Sequence, residues 1–218
     1  MAVDTDLSPN LGLSLGLGAD ALRAARTVPR ALTTGRGTGG ISTTQIIDAY
    51  GLVAPSGIAI FHALAPSETD AGCGCAGHSS VHSPLAQVLA EADVAVIDLE
   101  EGLDHLNRPA GTLAHVDHLL VVIGPTRKSV LTARRLADQA RQWGIARLSA
   151  VGNLARADGA DAELLAASAA ECGIELLGVV PASAVVAAAD RAGAGLTLDA
   201  ADLSPAVSAV MDRLALVA

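Results

Sequence analysis

Short apolar runs alternate along the chain with longer segments whose apolar residues recur at helical spacing. The apolar runs are rich in Val, Ile, Leu and Ala, and most are bounded by Gly, Pro or an acidic residue, which is typical of buried strands. The first residues, Met1–Asp4, read as the end of a strand. The other predicted strands are Gly57–Leu64, Asp93–Leu99, Asp117–Gly124, Ala146–Gly152 and Ile174–Val180.

The segments between these runs predict helices with recognisable ends. Ser42 or Thr43 is a cap for a short helix to Tyr50, and Thr126 caps a long amphipathic helix that ends near Gly144. Ser83-Pro84 forms a cap and first-turn pair for a helix through Ala90. The remaining predicted helices cover residues 19–32, 160–172, 183–192 and 205–216.

Continuous apolar strands that alternate with helices predict an α/β fold, with a mostly parallel sheet covered by helices on both faces. We expect residues 1–218 to form a single domain, which is long enough to bury a sizeable core. Ligands bind such sheets at the carboxyl ends of the strands. Polar or turn-forming residues follow nearly every predicted strand, so the sequence predicts a site at that edge.

Composition narrows the function classes. Aromatic residues make up 1% of the chain, so no platform exists on which single-stranded nucleic acid could stack. The net charge is −9, and basic residues are 13 Arg and one Lys, so nucleic acid is not expected as a partner. No run of apolar residues is long enough for a membrane span, and no membrane partner is expected. Three cysteines are too few for a disulfide scaffold, which favours a cytoplasmic location.

Two acidic patterns are candidates for chemistry. Asp98 ends an apolar strand and Gly102 follows four residues later, as in phosphoryl-transfer sites where the Asp holds Mg²⁺ through water and the Gly amide approaches a phosphate. Asp4 and Asp6 lie just past the first strand and are able to orient water. Each pattern alone is also typical of an ordinary strand end or an acidic loop.

Several motifs together resemble one family. MAVDTDLSPNLGLSLGL is similar to the second strand and following loop of the deviant-Walker ATPases of the MinD/ParA superfamily. The run from Asp98 to Arg108 resembles the D-x-E-x-G-x-E-H-x-x-R segment of the CooC-type nickel-insertion accessory ATPases of carbon monoxide dehydrogenase. Further similar segments are Val121–Val130, Val151-Gly-Asn153, and Gly178–Pro181 with Asp190.

The resemblance implies a P-loop NTPase fold, ATP with Mg²⁺ as cofactor, and a homodimer. Asp4, Asp6 and Asp98 take the catalytic positions. Gly102, Asn153 and Pro181 take nucleotide-binding positions, and the family's Asn reads adenine.

The family also carries a C-x-C pair, here Cys73-Gly-Cys75, which in its members forms a metal site at a dimer interface. Thiolates suit Ni²⁺ or Zn²⁺, but one chain offers only two of them. A second chain or other ligands must complete a site with four ligands. His78 and His82 follow closely, so a Cys₂His₂ site within one chain is an alternative. Two idle thiols in a Gly/Ser-rich loop are the other interpretation.

The family's phosphate-binding loop, K-G-G-x-G-K-[ST], does not occur in this sequence. Gly35-Arg-Gly-Thr-Gly-Gly40 has no Lys and follows Asp4 and Asp6, whereas the family's loop precedes them. We therefore expect a MinD-like domain that lacks its first strand, P-loop and first helix, with a gap between parallel strands that exposes apolar side chains. A truncated chain and a relative that has lost hydrolysis are the two explanations.

Three functions follow from these patterns. The first is an ATP-dependent metallochaperone for nickel insertion into carbon monoxide dehydrogenase. The second is a catalytically inactive relative that binds metal or a partner protein. The third is a partition or positioning ATPase. The last is disfavoured because the final helix carries a single basic residue, Arg213.

Overall fold

The computed structural model describes residues 1–6, 9–29, 42–62, 88, 90–99, 116–196 and 203–214. Contacts divide the chain into two compact units. The first contains Met1–His115 and Ala189–Leu196, and the second contains Val116–Ala188 and Thr197–Ala218. Between Leu119 and Ala192, strands and helices alternate in chain order, as the apolar pattern predicts. The elements are β1 (Ala2–Asp4), α1 (Leu11–Ser14), α2 (Ala19–Ala24), α3 (Thr43–Tyr50), β2 (Leu52–Val53), β3 (Ala59–His62), β4 (Val96–Asp98), β5 (Leu119–Ile123), α4 (Arg127–Gln142), β6 (Leu148–Ala155), α5 (Ala162–Glu171), β7 (Glu175–Pro181), α6 (Ala184–Ala192) and α7 (Ser204–Leu214).

The first unit contains a four-stranded sheet with the order β2-β3-β1-β4. β1 pairs in parallel with both β3 and β4, and only the two-residue strand β2 is antiparallel. Val3 and Phe61 are buried against Ile46 of α3, and Ile60 packs with leucines of α1 and the turn after it. The successive residues Ile60 and Phe61 of β3 therefore enter different apolar clusters, as expected for a sheet with packing on both faces.

The second unit contains a parallel sheet with the order β5-β6-β7. One face packs on α4 and α5 through an aliphatic cluster around Ile123, Ala137 and Leu165. The other face packs on α7 through Leu177 and Val210. Helices thus cover both faces of this sheet, and the predicted α/β class with mostly parallel pairing is confirmed.

Local signals place several helix ends correctly. Ser42 forms a complete capping box with Gln45, and the side chain of Thr126 accepts a hydrogen bond from the Ser129 amide. Gly144 has a φ of 77° directly after the last helical turn of α4, a left-handed conformation that glycine adopts without steric cost.

Two predictions about elements are wrong, and two short elements were missed. The helix expected over residues 19–32 ends at Ala24, because Ala25 is extended and the Val28 amide donates to the His62 carbonyl oxygen at 2.9 Å. Pro29 also opposes a longer helix, because the residue before a proline is disfavoured in the helical conformation. The segment Asp93–Leu99 is not a buried strand: it contains only β4, which lies at the sheet edge with Val96 58% exposed. The elements α1 and β2 were not predicted.

Among the described residues, no helix is both long and apolar enough to cross a membrane. Apolar side chains are exposed on edge strands of both sheets. Val96 on β4 is 58% exposed and Val122 on β5 is 61% exposed.

Candidate functional site

The carboxyl ends of β3, β1 and β4 bring three polar side chains into one row. The parallel register places Asp4 beside His62 on one side and beside Asp98 on the other. The predicted catalytic residues Asp4 and Asp98 are therefore neighbours, and Asp6 follows two residues after β1. This geometry agrees with the general placement of ligand sites at the carboxyl ends of parallel strands.

Thr5 links the carboxyl ends of β1 and β4 by hydrogen bonds. Its amide and its Oγ1 both donate to the backbone carbonyl oxygen of Asp98, at 3.0 and 2.7 Å. Thr5 is 3% exposed, so the two bonds are shielded from water. The sequence alone assigns no role to Thr5. Its position between two aspartates was a signal, but the partner is set by strand pairing that the sequence does not reveal.

The carboxylate of Asp4 is buried and organises the loop that follows β1. Oδ1 accepts from the Asp6 amide at 3.0 Å, and Oδ2 accepts from the Leu11 amide at 2.9 Å. Asp4 is 1% exposed, so these two bonds satisfy a charged group with almost no access to water. Asp4 thus determines where Asp6 and the start of α1 lie.

Asp98 is exposed and stands in a negatively charged environment. Partial desolvation of its carboxylate raises the pKa of Asp98, and the nearby charges of Asp4 and Asp6 raise it further. Like charges held together in this way favour the uptake of a proton or of a cation. The arrangement is therefore compatible with a divalent cation held by hard oxygen ligands.

The acidic side chains at these strand ends do not form a site that chelates a metal ion directly. In the described parts of the chain, no group of three or more His, Cys, Asp or Glu residues is arranged to hold a metal ion. The predicted contact of Asp98 with Mg²⁺ through water requires no such group, because ordered water can bridge a carboxylate and a cation.

His62 is a buried neighbour of Asp4. It is 5% exposed, and its Nε2 has no hydrogen-bond partner within the described residues. Desolvation lowers the pKa of His62, and the charge of Asp4 opposes this effect. The imidazole therefore takes up a proton less readily than an exposed histidine does.

Asn153 and Pro181 lie on neighbouring strands of the second unit. Ala155 of β6 is in register with Pro181 of β7, and the Ala182 amide donates to the Ala155 carbonyl oxygen at 2.7 Å. The side chain of Asn153 is partly exposed, and its Oδ1 accepts from the Leu154 amide at 2.9 Å. Both predicted nucleotide-binding residues thus stand at the carboxyl ends of their strands.

The other predicted site residues lie outside the described part of the chain. These are Gly102, the metal-site candidates Cys73, Cys75 and His78, and the alternative ligand His82. Cys172 is described. It is buried at the end of α5, as expected for a small core residue, and desolvation raises the pKa of its thiol.

Two solved structures share this fold over nearly the whole chain. The cell-division protein MinD of Aquifex aeolicus matches 98% of this chain and 82% of its own, with a TM-score of 0.65 and 16% identity. A ParA-family ATPase from Chlorobium tepidum matches 97% of this chain and 83% of its own, with a TM-score of 0.67 and 17% identity. The chain therefore has the fold of these MinD- and ParA-type proteins.

Curated relatives specify the family further. The carbon monoxide dehydrogenase accessory protein CooC of Rhodospirillum rubrum is 30% identical over 94% of this chain and 80% of its own length. The chain therefore belongs to the CooC family. An uncharacterized ATP-binding protein of Methanocaldococcus jannaschii is 35% identical over 130 residues, which are 59% of this chain and 49% of that protein. No protein-family model matches the chain.

Proposed function

We propose that this protein is an ATP-dependent accessory protein for the maturation of carbon monoxide dehydrogenase and that it delivers nickel to this client. The proposal is supported by the relationship to an accessory protein of that enzyme, at 30% identity over 94% of the chain. The single structural observation that carries it is the Asp4–Asp98 pairing at the carboxyl ends of β1 and β4. It concentrates carboxylates where this fold class handles phosphate and Mg²⁺.

We assign different roles to the acidic residues at these strand ends. Asp98 is exposed, so we assign it to hold water on Mg²⁺, an ion that neutralises charge developing on phosphoryl oxygens when it is bound. We assign Asp6 to orient the attacking water, with Asp4 as the alternative. The burial of Asp4 and the two amides on its carboxylate favour Asp6, and make Asp4 the residue that positions the loop.

The nucleotide-binding roles follow from the family resemblance. We assign Gly102 to approach the γ-phosphate through its amide, and Asn153 with Pro181 to contact adenine. The partial exposure of Asn153 and Pro181 at strand ends supports the last assignment. Since the 218 residues contain no K-G-G-x-G-K-[ST] loop, a metal- or partner-binding protein without hydrolysis is the alternative function.

Cys73 and Cys75 are the proposed ligands of the metal cargo, Ni²⁺ or Zn²⁺, with His78 as a further ligand. Because each chain supplies two thiolates, a homodimer would supply the four soft ligands of a complete site. Thiolate ligands must stay reduced and unpaired, which supports a cytoplasmic location.

ATP binding is tested by calorimetry on the 218-residue chain with and without Mg²⁺. We expect Asp98→Asn to remove the Mg²⁺-dependent part of the affinity. Asp20→Asn is the matched control, because Asp20 is an exposed acid that pairs only with Arg23 among the interactions described. Equal Mg²⁺ dependence in wild type and Asp98→Asn would reject the role of Asp98. No nucleotide binding by the wild type would favour the metal- or partner-binding alternative.

Metal delivery is tested by equilibrium dialysis against Ni²⁺ under reducing conditions. We expect the double variant Cys73→Ser/Cys75→Ser to lose bound nickel. Cys172→Ala is the matched control, since Cys172 is 3% exposed and should leave stoichiometry unchanged. Coexpression with carbon monoxide dehydrogenase then tests the client: its nickel content should rise with the wild type and not with the double variant.

A further inference from the structure

A bulge interrupts the pairing of β6 with β7 just where β6 carries Asn153. Gly152 pairs with Val179 and Ala155 pairs with Pro181, so two residues of β6, Asn153 and Leu154, stand opposite a single residue of β7. Bulges of this kind turn a side chain away from the regular alternation of the strand and occur often beside active sites. Of the two residues in the bulge, Leu154 is the one with a positive φ and an exposed side chain.

Leu154 combines two features that are unfavourable for folding. Its φ is +58°, and it is the one residue other than glycine with a positive φ in the described chain. In this conformation a side chain with Cβ is crowded against the following carbonyl oxygen. The Leu154 side chain is also 63% exposed, so it recovers little by burial. Strained backbone at a defined position is a reason to look for a function.

The amide of Asn153 has a fixed orientation beside this leucine. The Leu154 N–H donates at 2.9 Å, so the atom that faces it must be the acceptor Oδ1 rather than Nδ2. Nδ2 then keeps its two N–H donors for another group, and Oδ1 retains a second lone pair. An exposed aliphatic side chain next to a side-chain amide offers one surface for a flat apolar ring and donors for acceptors at the ring edge.

We propose that Leu154 is a specificity-determining residue for the nucleobase: it contacts the face of adenine while the neighbouring Asn153 binds the ring edge. This inference rests on the proposed function as an ATP-binding protein. The bulge then explains the strain, because in a regular strand successive side chains point to opposite faces, which would separate the side chains of Asn153 and Leu154.

The test measures binding of adenosine, which carries the base without phosphates, by calorimetry or by shifts in the NMR spectrum of the 218-residue chain. Leu154→Gly removes the side chain and accepts a positive φ, and Leu154→Asn keeps a side chain that tolerates this conformation. We expect both variants to bind adenosine at least fivefold more weakly. Neither should lower the thermal unfolding midpoint. Leu164→Ala is the matched control, since Leu164 is also an exposed leucine, at 42%, on α5.

The alternatives give different results. Adenosine binding in Leu154→Gly that equals the wild type would overturn the inference and leave the proposed function intact. A lowered unfolding midpoint in both variants would show that leucine packs within the fold, and would also overturn it. Dissociation of a dimer by Leu154→Gly, seen by sedimentation, would assign the leucine to a subunit interface instead. A wild type that binds neither adenosine nor ATP would reject the proposed function and this inference together.

Discussion

Thr5 donates two hydrogen bonds to one atom, the backbone carbonyl oxygen of Asp98, from its Oγ1 at 2.7 Å and from its amide at 3.0 Å. The pair fixes the carboxyl ends of β1 and β4 against each other, and with them the carboxylates of Asp4 and Asp98. Small changes in strand pairing would separate these acids. The geometry of the candidate site therefore depends on Thr5, an uncharged residue that lies between Asp4 and Asp6 in the sequence.

Removal of the Thr5 hydroxyl should destabilise the first unit. Thr5→Val keeps the shape of the side chain and deletes the Oγ1 bond, so we expect a loss of roughly 1 kcal/mol in the free energy of unfolding. Urea denaturation measures it. Thr5→Ser retains the hydroxyl and serves as the control. A loss in Thr5→Ser with none in Thr5→Val would show that the methyl group, and not the hydrogen bond, stabilises this position.

The charge of Asp6 should be visible in the titration of Asp98. Since Asp6 contributes to the raised pKa of Asp98, Asp6→Asn should lower that pKa toward its ordinary value. The measurement is an NMR titration of the Asp98 side-chain carbon. Asp20→Asn, which alters an acid outside this cluster, should leave the curve in place. An Asp98 curve that Asp6→Asn does not move would mean that Asp6 points away from Asp98 in solution.

Stability should fall as the pH is lowered from about 7.5 to 5.5. Burial lowers the pKa of both His62 and His118, so the unfolded chain takes up protons near pH 6.5 while the folded protein does not. Acid therefore favours unfolding in this window. Urea denaturation at several pH values gives the slope of the free energy of unfolding.

Two substitutions show which side chains cause this pH dependence of the free energy of unfolding. His118→Gln cannot titrate but keeps a side-chain amide within reach of Ser149 Oγ, which His118 Nε2 contacts at 3.0 Å, so the slope should decrease. Asp98 acts with the opposite sign, because its raised pKa makes the folded protein take up a proton first. The comparison is therefore made in an Asp98→Asn background. An unchanged slope in His118→Gln would contradict the assignment.

A methyl group at Gly195 should be strongly destabilising. An added Cβ would stand 2.3 Å from the Cα of Gly16, and backbone atoms there have no flexible end that could move away. The neighbouring Leu196 amide donates to the Ser14 carbonyl oxygen, so the two segments are held at this distance. We expect Gly195→Ala to cost more than about 2 kcal/mol, as overpacking does.

Gly18→Ala is the matched control for that experiment. Gly18 precedes α2 with a φ of −70°, and a Cβ there would meet nothing within 4 Å. Its effect should stay within about 0.5 kcal/mol, the usual range for surface substitutions. Thermal unfolding of the two variants side by side separates close contact at Gly195 from a general cost of replacing glycine.

A charge on β5 should reduce self-association. Val122 is 61% exposed on a strand at the edge of its sheet, and apolar edge strands promote pairing between chains. Val122→Lys should raise the concentration at which light scattering first increases, with little change in the unfolding midpoint. Val121→Lys is the contrasting variant, because Val121 is 4% exposed, and it should unfold the chain. More aggregation in Val122→Lys would show that this valine is covered in solution.

The sequence by itself determined the alternation of strands and helices, the parallel α/β class, and the helix ends at Ser42, Thr126 and Gly144. These features depend on local periodicity and on capping chemistry within a few residues. The resemblance of linear motifs also identified the family, because such motifs are read along the chain. Burial of β4 was predicted wrongly because an apolar run does not reveal whether its strand lies inside a sheet or at its edge.

Tertiary structure alone decided the register of the strands and everything that depends on it. Register placed His62 beside Asp4, directed Thr5 onto Asp98, and left two residues of β6 unpaired so that Leu154 turns outward. These pairs are separated in sequence by 58 residues for His62 and Asp4 and by 93 residues for Thr5 and Asp98. Pairing over such distances is selected by the packing of the whole core, and no local pattern records it.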